Sequence, residues 1–208
     1  MALAKWTEQT LAEHTAACTE RIMAAWHARP AWSERGASWY LDYRAELDAG
    51  RPANVTLDVA CAIVGLSSIN TGPERGMTWT LATLHGASGG HVPTAVLRAV
   101  PIMQRAATLT FEEARELAVP FDPKGSRKVR SFACNVRTGG APCQCEHGAC
   151  VTVDRWANRI ATGDDDAGVP KGAEYDAVAA AYRLAAERIG IAPAILQAIL
   201  WVAVAERE

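Results

Sequence analysis

The stretch Thr56 to Ser67 reads TLDVACAIVGLS and is apolar on nearly every face of a helix. A helix of that kind offers water no polar side, so it has to lie buried among other elements. Thr56 stands at the N-cap position. Asp58 falls in the first turn, where the helix dipole favours an acid. Cys61 belongs to the core of this segment. The run ends in Ser67-Ser68-Ile69-Asn70, ahead of Gly72-Pro73. A chain built around it needs further helices, each with one apolar face.

The rest of the chain supplies those patterns. Between Thr7 and Trp26, the residues Leu11, Ala12, Thr15, Cys18, Ile22 and Trp26 recur at three- and four-residue steps. Thr7 is the cap there, and Cys18 lies on the apolar side. Pro30 and Gly36 bracket a loop. Ala37 to Ala49 predicts a helix stopped by Gly50, with Trp39, Tyr40 and Tyr43 as packing bulk. Gly76 to Leu84, Thr94 to Arg105 and Thr110 to Ala118 predict shorter helices. The last opens on a capping box formed by Thr110 and Glu113. Tyr175 to Ile189 and Pro193 to Ala205 predict a closing helical hairpin, broken at Gly190. Asp164, Asp165 and Asp166 read as a solvated loop with capping duty. No segment alternates as a strand does. The expected fold is a compact all-α domain. N-terminal helices cover 1–55, a core covers 56–160 with a Cys-rich loop insertion at 134–150, and the hairpin covers 161–208.

Composition narrows the function classes. With 208 residues, half of them hydrophobic, one domain with a sizeable core is expected. The formal net charge of −2 excludes the overall basic excess common in nucleic-acid binders, but a locally basic face can sit inside a neutral total. Met1 to Leu11 has no apolar leader pattern, and no window approaches a membrane span. A cytoplasmic protein is expected, with no membrane partner. In a reducing compartment, clustered cysteines are more often metal ligands than disulfides.

Such a cluster lies in Lys124 to Arg159, which carries four of the six cysteines and seven Lys/Arg against two acids. Cys134, Cys143, Cys145 and Cys150 follow the spacing C-x8-C-x-C-x4-C, with His147 inside the last gap. Four thiolates, or three with the imidazole, suit tetrahedral zinc. The alternatives are a disulfide, an iron–sulfur cluster or free thiols. The loop Thr138 to Gly148 is rich in Gly and Pro and has no core of its own, so a metal would supply folding energy. A closed four-ligand site leaves no open position, so its expected role is structural.

On either side of this loop are two segments with a family resemblance. Pro123-Lys124-Gly125-Ser126-Arg127-Lys128 leads into an apolar helix. Val153-Asp154-Arg155-Trp156 opens the next, followed by Asn158-Arg159. The pair resembles the helix-hairpin-helix DNA glycosylase superfamily, the endonuclease III and oxoguanine glycosylase group. That family carries a Gly-x-Gly-x-Lys hairpin and, about twenty residues later, a Val-Asp-x-His segment. The hairpin here has one glycine, and Arg155-Trp156 follows the aspartate. Upstream, Ala62 to Ser67 is similar to the family's early buried helix. The resemblance covers Leu57 to Ile160, roughly half the chain, and extends to small phage-encoded relatives.

The resemblance implies a glycosylase-like fold acting on double-stranded DNA with a modified or damaged base. Asp154 would stabilise an oxocarbenium-like centre or activate water. Without the resemblance, an N-cap with no catalytic task is the favoured reading of it. Lys128 would be either an attacking amine or a phosphate contact. Lys124, Gly125, Ser126, Arg127, Arg130, Arg155 and Arg159 would line the DNA, with Arg137 adding charge. Ile69, beside Asn70, would fall where such enzymes insert a wedge into the duplex. The alternatives are a non-catalytic DNA-binding protein of this fold, with a zinc-shaped loop, and a helical interaction module.

Overall fold

The computed structural model describes residues 6–67, 73–86, 99–103, 105, 108–118, 126–143, 145 and 149–205. Every regular element among them is helical. In chain order these are α1 (Glu8–Ala28), a 3-10 helix (Ala31–Ala37), α2 (Trp39–Gly50), α3 (Leu57–Ser67), α4 (Pro73–Leu84) and α5 (Val100–Met103). They continue with α6 (Phe111–Ala118), α7 (Ser126–Thr138), α8 (Arg155–Thr162), α9 (Ala173–Ile189) and α10 (Pro193–Ala205).

Local chemistry sets most of these bounds. Thr7 and Thr10 cap α1 reciprocally, each side chain accepting from the other's backbone N–H. Thr110 and Glu113 do the same for α6, and these hydrogen bonds hold the Glu113 carboxyl below its usual range. Pro73 and Pro193 sit at first helical positions, where a missing N–H costs nothing. Gly163 and Gly190 end α8 and α9 at φ of 69° and 85°, a region that Cβ-bearing residues avoid. Of the expected helix Thr94–Arg105, the described part is α5 and its neighbours; the remainder lies outside the described residues.

The loop expected between Pro30 and Gly36 is instead the 3-10 helix. Both the N–H and the hydroxyl of Ser33 donate to the Pro30 carbonyl, at 3.0 and 2.8 Å, and this winds the chain. Gly36 is buried because it packs on α10.

The chain forms two units. The first, Met1–Trp39 with Gln144–Glu208, is built on α1, α8, α9 and α10. Its core joins Cys18 and Ile22 of α1 to Val151, Val153, Ala157 and Ala161. Tyr175, Val178, Tyr182 and the alanines of α9, with Leu196 and Leu200 of α10, complete it. Alanines on α9 let neighbouring backbones approach closely, so α1 lies along it. The fully buried Tyr182 donates its hydroxyl to the Ala157 carbonyl at 3.1 Å. Burial pushes that phenol well above its ordinary range, and the charge of Asp154 adds to the effect.

The second unit, Tyr40–Cys143, surrounds α3. Val59 to Val64 and Leu66 are fully or almost fully buried, as the all-round apolar pattern requires. Helices α4, α6 and α7 pack on α3. Phe132 of α7 meets Tyr43 edge-on at 5.8 Å between ring centroids. Burial pushes the Cys61 thiol up to about 12 from an ordinary 9.0. Folded Cys61 keeps its proton at pH values where the unfolded chain releases it. Its contribution to stability is therefore complete below pH 9 and is lost as pH rises toward about 12. Thermal unfolding followed across that range should show a falling Tm. Cys61→Ala should flatten the first part of the fall, and an unchanged slope in that variant would count against the assignment.

No single helix among the described residues is long and apolar enough to cross a membrane.

Candidate metal centre and its flanking helices

Helix α7 sets the first thiol. Its apolar face carries Val129, Phe132, Ala133 and Val136 inward, and Cys134 is buried with them. The helix ends at Gly139 and Gly140, whose φ values are 63° and 82°. The Gly140 N–H donates back to the Asn135 carbonyl at 2.8 Å and closes the last turn. Cys143, Cys145 and Cys150 follow, all half-buried. The sulfurs of Cys134, Cys143, Cys145 and Cys150 all lie within 4.8 Å of one another, so these four residues can hold a metal ion. A tetrahedron with Zn–S bonds of about 2.3 Å has edges of about 3.8 Å. Closing on an ion thus needs a contraction of about an ångström at most. Cys18 and Cys61, expected in the cores, are buried there as free thiols. His147, the alternative ligand, lies outside the described residues, as does His91.

Beyond Cys150 the chain has no regular structure until Asp154. This aspartate is the N-cap of α8, and its Oδ1 accepts from the Ala157 N–H at 2.8 Å. The side chain is half-buried. Asn158 then turns inward and donates to the Gly168 carbonyl at 2.8 Å. Two guanidiniums approach the Trp156 ring, those of Arg155 and Arg159, at 5.1 and 4.9 Å from its centroid. Arg155 is exposed and Arg159 half-buried. Asp164, Asp165 and Asp166 are exposed, as a solvated loop should be.

Of the hairpin residues, Lys124 and Gly125 lie outside the described residues, as do Ile69 and Asn70. Ser126 opens α7, Arg127 is exposed, and Lys128 is half-buried. Arg130 pairs with Glu116 of α6 at 2.7 Å. Arg137 forks onto Asp58 through two bonds of 3.0 and 3.1 Å and reaches Glu112 at 3.1 Å. Partial burial pulls the Arg137 guanidinium down, but the bond to Asp58 and its charge outweigh this and raise it overall. Much of the positive charge on α7 is therefore matched by carboxylates of α3 and α6. Sequence reasoning gave no sign of these partners, because they come from 14 to 79 residues away.

Sequence reasoning also missed the supports of the Cys150 limb. The Tyr175 hydroxyl donates to the Val151 carbonyl at 2.9 Å and accepts from the Val153 N–H at 3.2 Å. Arg183 Nε donates to the Ala149 carbonyl at 2.8 Å. Nothing in the pattern of α9 marks these two residues apart from other polar helix positions.

No curated protein and no solved structure matches the chain. A family model does match it over residues 5–208: the chain belongs to DUF7178, a family of unknown function.

Proposed function

We propose that the protein is a DNA-binding protein of glycosylase-like helical design, in which a structural zinc ion shapes the loop ahead of α8. The observation that carries this reading is the convergence of four thiols within 4.8 Å, just before a helix that shows Arg155, Trp156 and Arg159. An all-thiolate set suits zinc. An iron–sulfur cluster puts several atoms between its thiolates and spreads them farther apart, so a tight grouping favours a single ion. Metal thiolates of this kind persist in the reducing cytoplasm. Two cations close to an aromatic ring suit phosphate and base contacts together. Arg127 and Lys128 at the start of α7 would add phosphate contacts near a helix N-terminus.

Base excision is the second reading. What favours it is a half-buried carboxylate, Asp154, at the mouth of α8. That carboxylate already caps the helix, so the non-catalytic reading is preferred.

One set of assays separates them. Duplex binding should weaken steeply with salt, and Lys128→Ala should lower the log–log salt slope by about 1. On a panel of duplexes with damaged or modified bases, the wild type is expected to leave no abasic sites. Abasic sites that vanish in Asp154→Asn would establish base excision instead. Absence of salt-dependent DNA binding would overturn both readings in favour of an interaction module.

A further inference from the structure

The chain on the C-terminal side of the cysteine loop is fastened at two points to one face of α9. Tyr175 and Arg183 are eight residues apart, two turns of helix, and so share that face. Eight residues rise about 12 Å along a helix. Residues 149–153, with a bend at Ala149 and no regular structure after it, lie against this face. Arg183 and Tyr175 therefore meet the segment at separate points. Arg183 takes the Ala149 carbonyl, and Tyr175 takes the buried Val151 carbonyl and Val153 N–H. Cys150 sits between the two attachments. Tyr175 is 5% exposed, so its two bonds are made away from water.

This arrangement does more than satisfy backbone groups. A thiolate held in place before the ion arrives loses less conformational freedom on binding. Four thiolates on one divalent ion also carry a double negative charge, and a fixed guanidinium beside the ligand loop offsets part of it. Arg183 is always charged, and its Nε bond to Ala149 ties it to the residue that precedes Cys150.

We propose that Arg183, with Tyr175, is a positioning residue for the metal: it locks the Ala149–Cys150 peptide in the ligating conformation and sets a cation next to the thiolate site. The inference rests on the reading that the four cysteines hold zinc.

The test measures zinc affinity of the full chain by competition with a chromophoric chelator, with cobalt substituted to report the thiolate charge-transfer band. Arg183→Gln is expected to weaken zinc by about 10- to 100-fold, the range for groups that orient metal ligands. Arg183→Lys, which keeps the charge and a donor, should recover part of the loss. Arg188→Gln, which removes an exposed pair with Glu20, should bind zinc as the wild type does. A purely structural role would lower Tm without this ordering of affinities. If Arg183→Gln fails to fold, Tyr175→Phe decides, since it keeps the ring and loses only the hydroxyl. Folded variants at either position with wild-type zinc affinity overturn the proposal. A wild type that binds zinc through four thiolates while the variants match it removes only this inference; a wild type that binds none removes the zinc reading as well.

Discussion

Stripping metal from the purified protein with excess chelator is expected to lower its Tm by about 8–16 °C. An ion at a thousand times its Kd stabilises the folded chain by about 4 kcal/mol. For a chain of this size each kcal/mol is about 2–4 °C. The physical reason is that the described loop residues bury little apolar surface. Ala141 and Pro142 are exposed, and Cys143, Cys145, Ala149 and Cys150 are only half-buried, so apolar burial contributes little there. Cys145→Ser should reproduce most of the loss while sparing the packed face of α7. Acidifying the buffer should release the metal too, because ligand thiols must be deprotonated to bind. The checks are metal content by mass spectrometry and Tm with and without chelator. Metal-free protein as isolated, with a Tm indifferent to chelator and added zinc, would falsify the assignment.

The second large effect is expected at Gly36. A Cβ there would lie 2.6 Å from the Ile199 Cα, 2.7 Å from the Ala198 carbonyl oxygen and 2.8 Å from the Ile199 nitrogen. All three are backbone atoms of α10, so no side chain can swing aside. Gly36→Ala therefore forces the 3-10 helix off α10, at a cost of about 3 kcal/mol, the upper part of the range for overpacking. That corresponds to a Tm lower by about 6–12 °C. Gly168→Ala is the control: nothing lies within 4 Å of its Cβ position. It should be neutral or stabilise by about 0.4–1 kcal/mol, by restricting the unfolded chain. Chemical denaturation of the three proteins measures both, and a Gly36→Ala variant as stable as the control would show that the contact yields.

The cost at Gly36 was invisible in the sequence, and the reason separates two kinds of information. Helix α10 was legible in full, from Pro193 to Ala205, because proline at the first position and continuous apolar residues are local signals. The same holds for α3 and for the capped starts of α1 and α6. Pro30 to Gly36 read as a loop because a 3-10 turn has no periodic signature over so few residues. What buries it is a helix more than 150 residues away in the chain.

The candidate site divides along the same line. The four cysteines were identifiable from residue type and spacing alone, although they lack the usual paired knuckle. Asp154 was legible as the residue opening a helix. Spacing could not show that the sulfurs meet within 4.8 Å, since a Gly- and Pro-rich loop has many paths between fixed ends. Nor could it show that Arg130 and Arg137 face carboxylates, or that Tyr175 and Arg183 hold the Cys150 limb. By itself the sequence determined most of the helices, their caps, the buried central segment and the four candidate metal ligands, because residue type and local spacing carry each of them. Only the tertiary structure decided which charges are neutralised, which glycine admits no side chain and which residues support the thiols. Those depend on atoms that meet only after distant segments have packed.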